Sequence, residues 1–358
     1  MAPRILVVVA ALRLAASVYA ASADPVQPRS ASPDDWSGLE RTTITKIPER
    51  DELILELPAV DLPAGTVVDQ AASVGEFPVN GSIYALHAEV VDDSGRQLSN
   101  DLLHHMNVMD PAERELFLPI SRRILASGRE TGEIRFPWLL FGTPMHAGER
   151  ILANAMMHNP TMVSYRGVRV RLVLSYVPDH RPWPFFSVIP WQLDVGFPVG
   201  DKSFDLPPGR SERSYEGSPA VAGKLIVIGG HMHEYGRTIE FWDATTEKRL
   251  WHGEPAPAAP GEPNAVPMGR LYGLTGIGMR ITPTHRYRVR VIYENPTDRS
   301  ISNGGMGVVG GLFMPDRTAT WPSTNQADSL YQQDLRHFMG PVGRAAVAVP
   351  MSHMHMEH

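Results

Sequence analysis

The chain has 358 residues and a formal net charge of -6, from 33 Lys and Arg against 39 Asp and Glu. Hydrophobic residues at 43% and charged residues at 20% suit buried cores and exclude a disordered chain, and the acidic balance argues against a nucleic-acid partner. Cysteine is absent, which excludes disulfides, thiolate nucleophiles, iron–sulfur clusters and Cys-based zinc sites, whereas 14 His and 16 Met supply imidazole and thioether, both copper ligands.

Residues 1–23 read as a secretory signal peptide. Arg4 gives a positive start, Ile5–Leu12 an apolar run, and Ala21-Ser22-Ala23 a small-residue cleavage site. The stretch is short for a bilayer and carries Arg13 in its middle, so no stable membrane partner is expected. The mature chain is expected to be secreted or periplasmic. Residues 24–40 form a polar lead. Short β-branched and aromatic runs follow between Gly, Pro and Asp turns: Thr42–Ile47, Leu53–Leu57, Ile83–Val91, Ile134–Phe141, Arg150–Met157 and Val168–Val177. Asp110-Pro111 has the composition of a helix start. Residues 178–184 hold three prolines, which stiffen the chain and cannot join a central ladder, so residues 179–185 read as a linker. A second β-set covers Phe186–Leu193, Lys224–His233, Thr238–Asp243, Tyr287–Tyr293 and Gly307–Phe313, with Gly253–Pro267 as a long loop. Ala327–Met339 has helical spacing. No repeat of fixed period stands out. The expected fold is all-β, with two tandem antiparallel β-sandwich domains, 41–178 and 186–320, and a C-terminal extension over 321–358.

The strongest chemical signal is Gly230-His231-Met232-His233-Glu234 at the end of the apolar run Leu225–Ile228. On a strand, residues two apart share a face, so His231 and His233 project together while Met232 turns into packing. His104-His105-Met106 is a second signal. Neighbouring strand residues reach one ion only at a strand end, bend or bulge. His158, before Asn159-Pro160, and Met306, in a glycine-rich entry to an apolar strand, each read alone as structural residues. Glu234, Tyr235, Asn107 and Asn159 stand beside these positions as candidate orienters. His87, His146, His180, His252, His285 and His337 show no partner spacing. The final Met351-Ser352-His353-Met354-His355-Met356-Glu357-His358 has the composition of a metal-collecting tract.

In order, His-His then His in the first half, and His-x-His then Met in the second, the chain resembles the copper type II, ascorbate-dependent monooxygenases, the family of peptidylglycine α-hydroxylating monooxygenase and dopamine β-monooxygenase. The resemblance spans roughly Ile83 to Pro315. It implies two jelly-roll domains and two coppers per chain. His104, His105 and His158 would hold an electron-relay copper. His231, His233 and Met306 would hold the copper at which oxygen reacts and a substrate C–H is hydroxylated. It further implies O2 and a small organic molecule as substrates and ascorbate as reductant. The position two before His231, an arginine that binds the substrate carboxylate in the peptide-hydroxylating members, is Gly229 here. Residues 307–311, Gly-Val-Val-Gly-Gly, lack the polar and aromatic partners of that role. Peptidylglycine is therefore not the expected substrate. A non-catalytic copper binder or carrier on the same scaffold is the alternative reading. The sequence leaves the oligomeric state open.

Overall fold

A computed structural model of the chain describes residues 36, 38–128, 131–196, 202–256, 264–273, 276–339 and 347–350. The signal peptide and the Met/His-rich tail lie outside them, as does nearly all of the lead. Among the described residues the regular secondary structure is almost entirely strand, and no helix is long and apolar enough to cross a membrane.

The first half contributes β1 (Thr43–Ile47), β2 (Glu52–Glu56), β3 (Val60–Leu62), β4 (Thr66–Glu76), β5 (Gly81–Val91) and β6 (Leu103–Arg114). It continues through β7 (Ser121–Gly128), β8 (Ile134–Arg135), β9 (Phe141–Met145), β10 (Arg150–Asn159) and β11 (Tyr165–Pro178). After β12 (Phe186–Ser187), the second half opens with β13 (Ile189–Asp194), β14 (Phe204–Leu206), β15 (Gly209–Gly217), β16 (Gly223–Met232), β17 (Gly236–Asp243) and β18 (Lys248–Gly253). It closes with β19 (Asn264–Arg270), β20 (Tyr272–Gly273), β21 (Gly276–Ile277), β22 (Met279–Ile281), β23 (Tyr287–Asn295), β24 (Ile301–Gly305) and β25 (Gly307–Pro315). Helix α1 (Ser329–Met339) and β26 (Val347–Pro350) follow.

Each half is a sandwich of two mainly antiparallel sheets, the all-β tandem architecture expected. In the first, β1-β2-β11-β5-β9-β12 faces β26-β4-β10-β6-β7. In the second, β13-β25-β16-β19 faces β15-β23-β17-β18. The alternation that marks Val168–Leu172 as a strand buries Val168, Val170 and Leu172 completely in the first core and leaves Arg169 and Arg171 half-buried. The apolar run Leu225–Ile228 is buried on both faces, as a central strand requires.

The halves are copies of one design. The sheet order β4-β10-β6-β7 recurs as β15-β23-β17-β18, and β2-β11-β5 recurs as β13-β25-β16. Asp61-Leu62-Pro63 recurs as Asp205-Leu206-Pro207, and Asn159-Pro160-Thr161 as Asn295-Pro296-Thr297. Both asparagines are buried and work alike. The Asn159 Oδ1 accepts from the N–H and hydroxyl of Thr161 at 3.1 and 2.7 Å, and Asn295 Oδ1 accepts from those of Thr297 at 3.0 and 2.7 Å. The aspartates accept 3.0 Å bonds from the N–H of Gly167 and of Asn303, two residues at positive φ (57° and 52°). That conformation suits glycine and asparagine. The two motifs are spaced differently in each half, which is why no fixed period shows in the sequence.

Three local expectations give way to other structure. Asp110-Pro111 starts no helix. It lies within β6, where the Asp110 carboxylate accepts from the N–H of Ala112 (2.8 Å) and Glu113 (3.3 Å), a side-chain turn that replaces ladder bonds at a register shift. The loop expected to Pro267 ends earlier, in β19. Pro267 is tolerated there because it sits in the register shift between the Ile228–Gly269 and Gly230–Val266 pairs. The cores also do not part at 179–185. Leu116–Ile120, between β6 and β7, enter the second core, where Phe117 meets Trp191 (5.6 Å), Tyr287 (6.3 Å) and Phe241 (6.4 Å) ring to ring. Phe141, Val188, Ile226, Val227 and Leu312 form a further apolar cluster between the halves. The helix expected over 327–339 forms as α1 and returns to the first sandwich. Asp334 takes both guanidinium nitrogens of Arg123 at 2.6 and 2.7 Å, and Phe338 packs on Leu152 and Met109.

Candidate metal centre

The first cluster arises from a β-bulge. Along β6 and β10, Met156 pairs with His105 and Met157 with Leu103, so His104 is the extra residue. A bulge swings two successive side chains to one side. The His104 and His105 rings accordingly stand 5.1 Å apart at 53°. Directly paired residues share a face, and so do residues two apart on a strand. His105, Met156 and His158 thus lie on the same face of this sheet. The second half repeats the bulge: Gly236 pairs with Tyr293 and Thr238 with Ile292, leaving Arg237 as the extra residue. Arg237 corresponds to His104, and Glu294 to His158. Arg237 and Glu294 meet in an ion pair at 3.3 Å. The duplicated backbone therefore sets His104 and His158 at positions whose side chains can touch.

The second cluster stands at the end of β16. His231 and His233 project together with rings 5.7 Å apart and nearly perpendicular, while Met232 is fully buried in the core. On the neighbouring β25, Val308 pairs with His231 and Gly307 with Met232, so one further step sets Met306 opposite His233. A residue that the sequence reading did not single out fixes this juncture. The buried Tyr293 hydroxyl accepts from the N–H of His233 (2.9 Å) and of Met306 (3.1 Å) and donates to the Met306 carbonyl. Burial pushes the Tyr293 phenol up to about 12, so it stays a neutral donor and acceptor. Asn303, also not anticipated, lies 3.3 Å from His233 Nδ1 through its carbonyl oxygen. Donation from Nδ1–H to that oxygen leaves the Nε2 lone pair for a metal. The signal for Tyr293 was the repeat: Tyr293-Glu294-Asn295-Pro296-Thr297 occupies the place of Met157-His158-Asn159-Pro160-Thr161.

The two clusters are within electrostatic reach of each other. Burial holds His105 down to about 4, helped by charge on His104 and His231; burial holds His231 down to about 4, helped by charge on His104. Both imidazoles are therefore neutral at pH 7, the form that ligates. Among the described residues, no group of three or more His, Cys, Asp or Glu side chains stands together as a finished metal cage. Of the other orienter candidates, Asn159 is committed to its turn and Asn107 pairs with Asn154 across the β6–β10 ladder.

Beside β16 a cleft of about 250 Å³ opens between the halves, lined among others by Ile134, Phe136, Val227, Met268, Arg270 and Tyr272. The Met268 side chain lies over Gly229, where a Cβ would come within 2.8 Å of it. The glycine at the position before Gly230-His231 thus admits a side chain into the cleft floor instead of projecting one.

No protein-family model matches the chain, and no curated protein matches it. Similar solved structures include PNGF-II (TM-score 0.34, 12% identity, covering 79% of this chain and 62% of that one). The match thus spans less than two thirds of PNGF-II. Others are the infectious bursal disease virus VP2 subviral particle (TM-score 0.24, 10% identity, 82% and 76% covered) and the mavirus major capsid protein (TM-score 0.16, 10% identity, 82% and 90% covered). Likenesses this slight carry no functional argument.

Proposed function

We propose that this protein is an exported copper-dependent monooxygenase that hydroxylates a C–H bond of a small organic substrate with O2 and a reductant such as ascorbate. The observation that carries the reading is the juncture of β16 and β25, where one buried hydroxyl fastens the backbones of His233 and Met306 together beside the His231–His233 pair. Two imidazoles and a thioether form a donor set that favours Cu(I), the state that reacts with oxygen. His104, His105 and His158 would hold a second copper with imidazoles alone, a donor set that accepts both oxidation states. The donors fit copper in kind, and burial keeps His105 and His231 in the neutral form that ligates. Bound copper supplies the redox chemistry.

The chain's own residues do the rest. Asn303 and Tyr293 orient His233, and burial keeps His105 and His231 unprotonated. The cleft, where Phe136, Val227 and Tyr272 meet the charged Glu133, Arg135 and Arg270, gives a small substrate a place along the strand that leads to His231. The shared core around Phe117 holds the two halves in one arrangement, so the clusters keep their separation. The test is copper content together with oxygen consumption. About two coppers per chain and ascorbate-dependent oxygen uptake that rises with a substrate support the proposal. Zinc or no metal after copper loading removes it. Copper binding without any substrate-dependent product favours the carrier reading, for which the Met/His-rich tail speaks.

A further inference from the structure

The cleft beside β16 carries a charge pattern that copper ligation does not use. Glu133, Arg135 and Arg270 all line it. Glu133 and Arg135 answer each other: Arg135 Nε donates to Glu133 Oε1 at 2.9 Å, and the same guanidinium stands over the Tyr84 ring at 5.6 Å. Arg270 is exposed at the cleft wall and, among the described residues, takes neither an ion pair nor a side-chain hydrogen bond. One carboxylate against two guanidiniums leaves the cleft locally positive in a chain whose formal net charge is -6. An unpaired guanidinium in a cleft is a ready bidentate receptor for a carboxylate. Glu133 in the same lining opposes a second negative charge, so a monoanion suits the cleft better than a dianion.

Strand register fixes where that anchor stands. Arg270 pairs with Val227 across the β16–β19 ladder, so the two share a face. Ile228 and Met232 are fully buried in the second core, which puts the alternate residues Val227, Gly229 and His231 on the opposite face of β16. His231 follows Val227 by about 13 Å along the strand, at about 3.3 Å per residue. Between them the Met268 side chain lies over Gly229 and is itself 55% exposed, a large apolar surface open to a ligand. Phe136 and Tyr272 add ring surface to the same lining.

We propose that the cleft takes an elongated organic monocarboxylate, held by Arg270 at one end, with an apolar or aromatic body over Met268 and its far end turned to His231. The carbon presented for oxidation is then remote from the carboxylate, not adjacent to it. The oxidation rests on the copper proposal above; the carboxylate anchor does not. The step is R–H + O2 + two electrons and two protons from the reductant, giving R–OH and H2O. One oxygen atom enters the C–H bond and the other leaves as water.

Isothermal titration calorimetry on the metal-free full chain at pH 8 tests the anchor, with phenylacetate, phenylbutyrate, phenylhexanoate, their neutral amides and phenylbutyl phosphate as probes. The best acid is expected to bind at least about tenfold more tightly than its amide, as a charge-assisted pair allows. Arg270→Gln is expected to remove that preference and Arg270→Lys to keep part of it, both with an unchanged urea midpoint because the side chain is exposed. No binding across the series, equal binding of acid and amide, or a preference that survives Arg270→Gln overturns the anchor. Tighter binding of the phosphate than of phenylbutyrate overturns the monoanion. In protein shown to hold Cu(II), proton NMR signals of phenylhexanoate are expected to broaden more at the ring than at the methylene beside the carboxylate. Equal or reversed broadening overturns the orientation. A chain that binds the acids through Arg270 but holds no copper keeps the anchor and loses the oxygenase.

Discussion

Replacing Tyr293 by Phe removes one oxygen atom and three hydrogen bonds. The tyrosine is fully buried, and its hydroxyl serves the His233 N–H, the Met306 N–H and the Met306 carbonyl. A net hydrogen bond contributes about 1 kcal/mol, and a buried backbone group left without a partner costs about 1–3 kcal/mol. The ring itself stays packed against Phe204 at 5.8 Å, so no cavity opens beyond one oxygen. The expected loss is about 2–4 kcal/mol, read from urea unfolding followed by tryptophan fluorescence, with the slope unchanged. Because Met306 is released from His233, Cu(I) affinity at this centre is expected to fall by about tenfold or more, while the His104–His105–His158 centre is unaffected. A loss below about 0.5 kcal/mol with unaltered Cu(I) affinity would refute the claim that this hydroxyl builds the site.

Phe117→Ala empties a pocket among Trp191, Phe241 and Tyr287 and is expected to cost about 3–5 kcal/mol, again by urea unfolding; a second, separate transition should then appear as the halves uncouple. His105 and His231 sit below their ordinary value of 6.5, at about 4, so the unfolded chain takes up their protons first. The stability they contribute is complete above pH 6.5 and declines as pH falls toward 4. His105→Gln should flatten that decline in unfolding midpoints measured from pH 7.5 to 4.5. Glu149 is shifted the other way. Burial first, then the charge of Asp110, raises it from 4.5 to about 7. Its stabilising contribution is present at low pH and is lost as pH rises through 7, so Glu149→Gln should gain on the parent chain between pH 6 and 8. An equal offset at both pH values would contradict this.

The sequence made the strands, the tandem halves and the face shared by His231 and His233 readable, because alternation and strand geometry are local properties. The need for a bulge at His104-His105 was also readable, since two neighbours on a flat strand cannot meet. What stayed hidden depends on register. Nothing local says that Tyr293 lies between His233 and Met306, because the three come together only when β16, β23 and β25 are aligned. The duplication was obscured by unequal spacing, though Asp-Leu-Pro and Asn-Pro-Thr recur intact. The entry of Phe117 into the other core was invisible, since an apolar hairpin end looks the same whichever core receives it. Asp110-Pro111 misled because a capping carboxylate also serves a turn within a strand.

X-ray absorption of the Cu(I)-loaded chain ending at Pro350, which lacks the tail thioethers, addresses the joining of His231, His233 and Met306 on one ion most directly. One sulfur scatterer per two coppers, absent in Met306→Leu while the imidazole scattering persists, is the predicted spectrum. Copper bound with no sulfur neighbour, or with a sulfur signal that survives Met306→Leu, would contradict it.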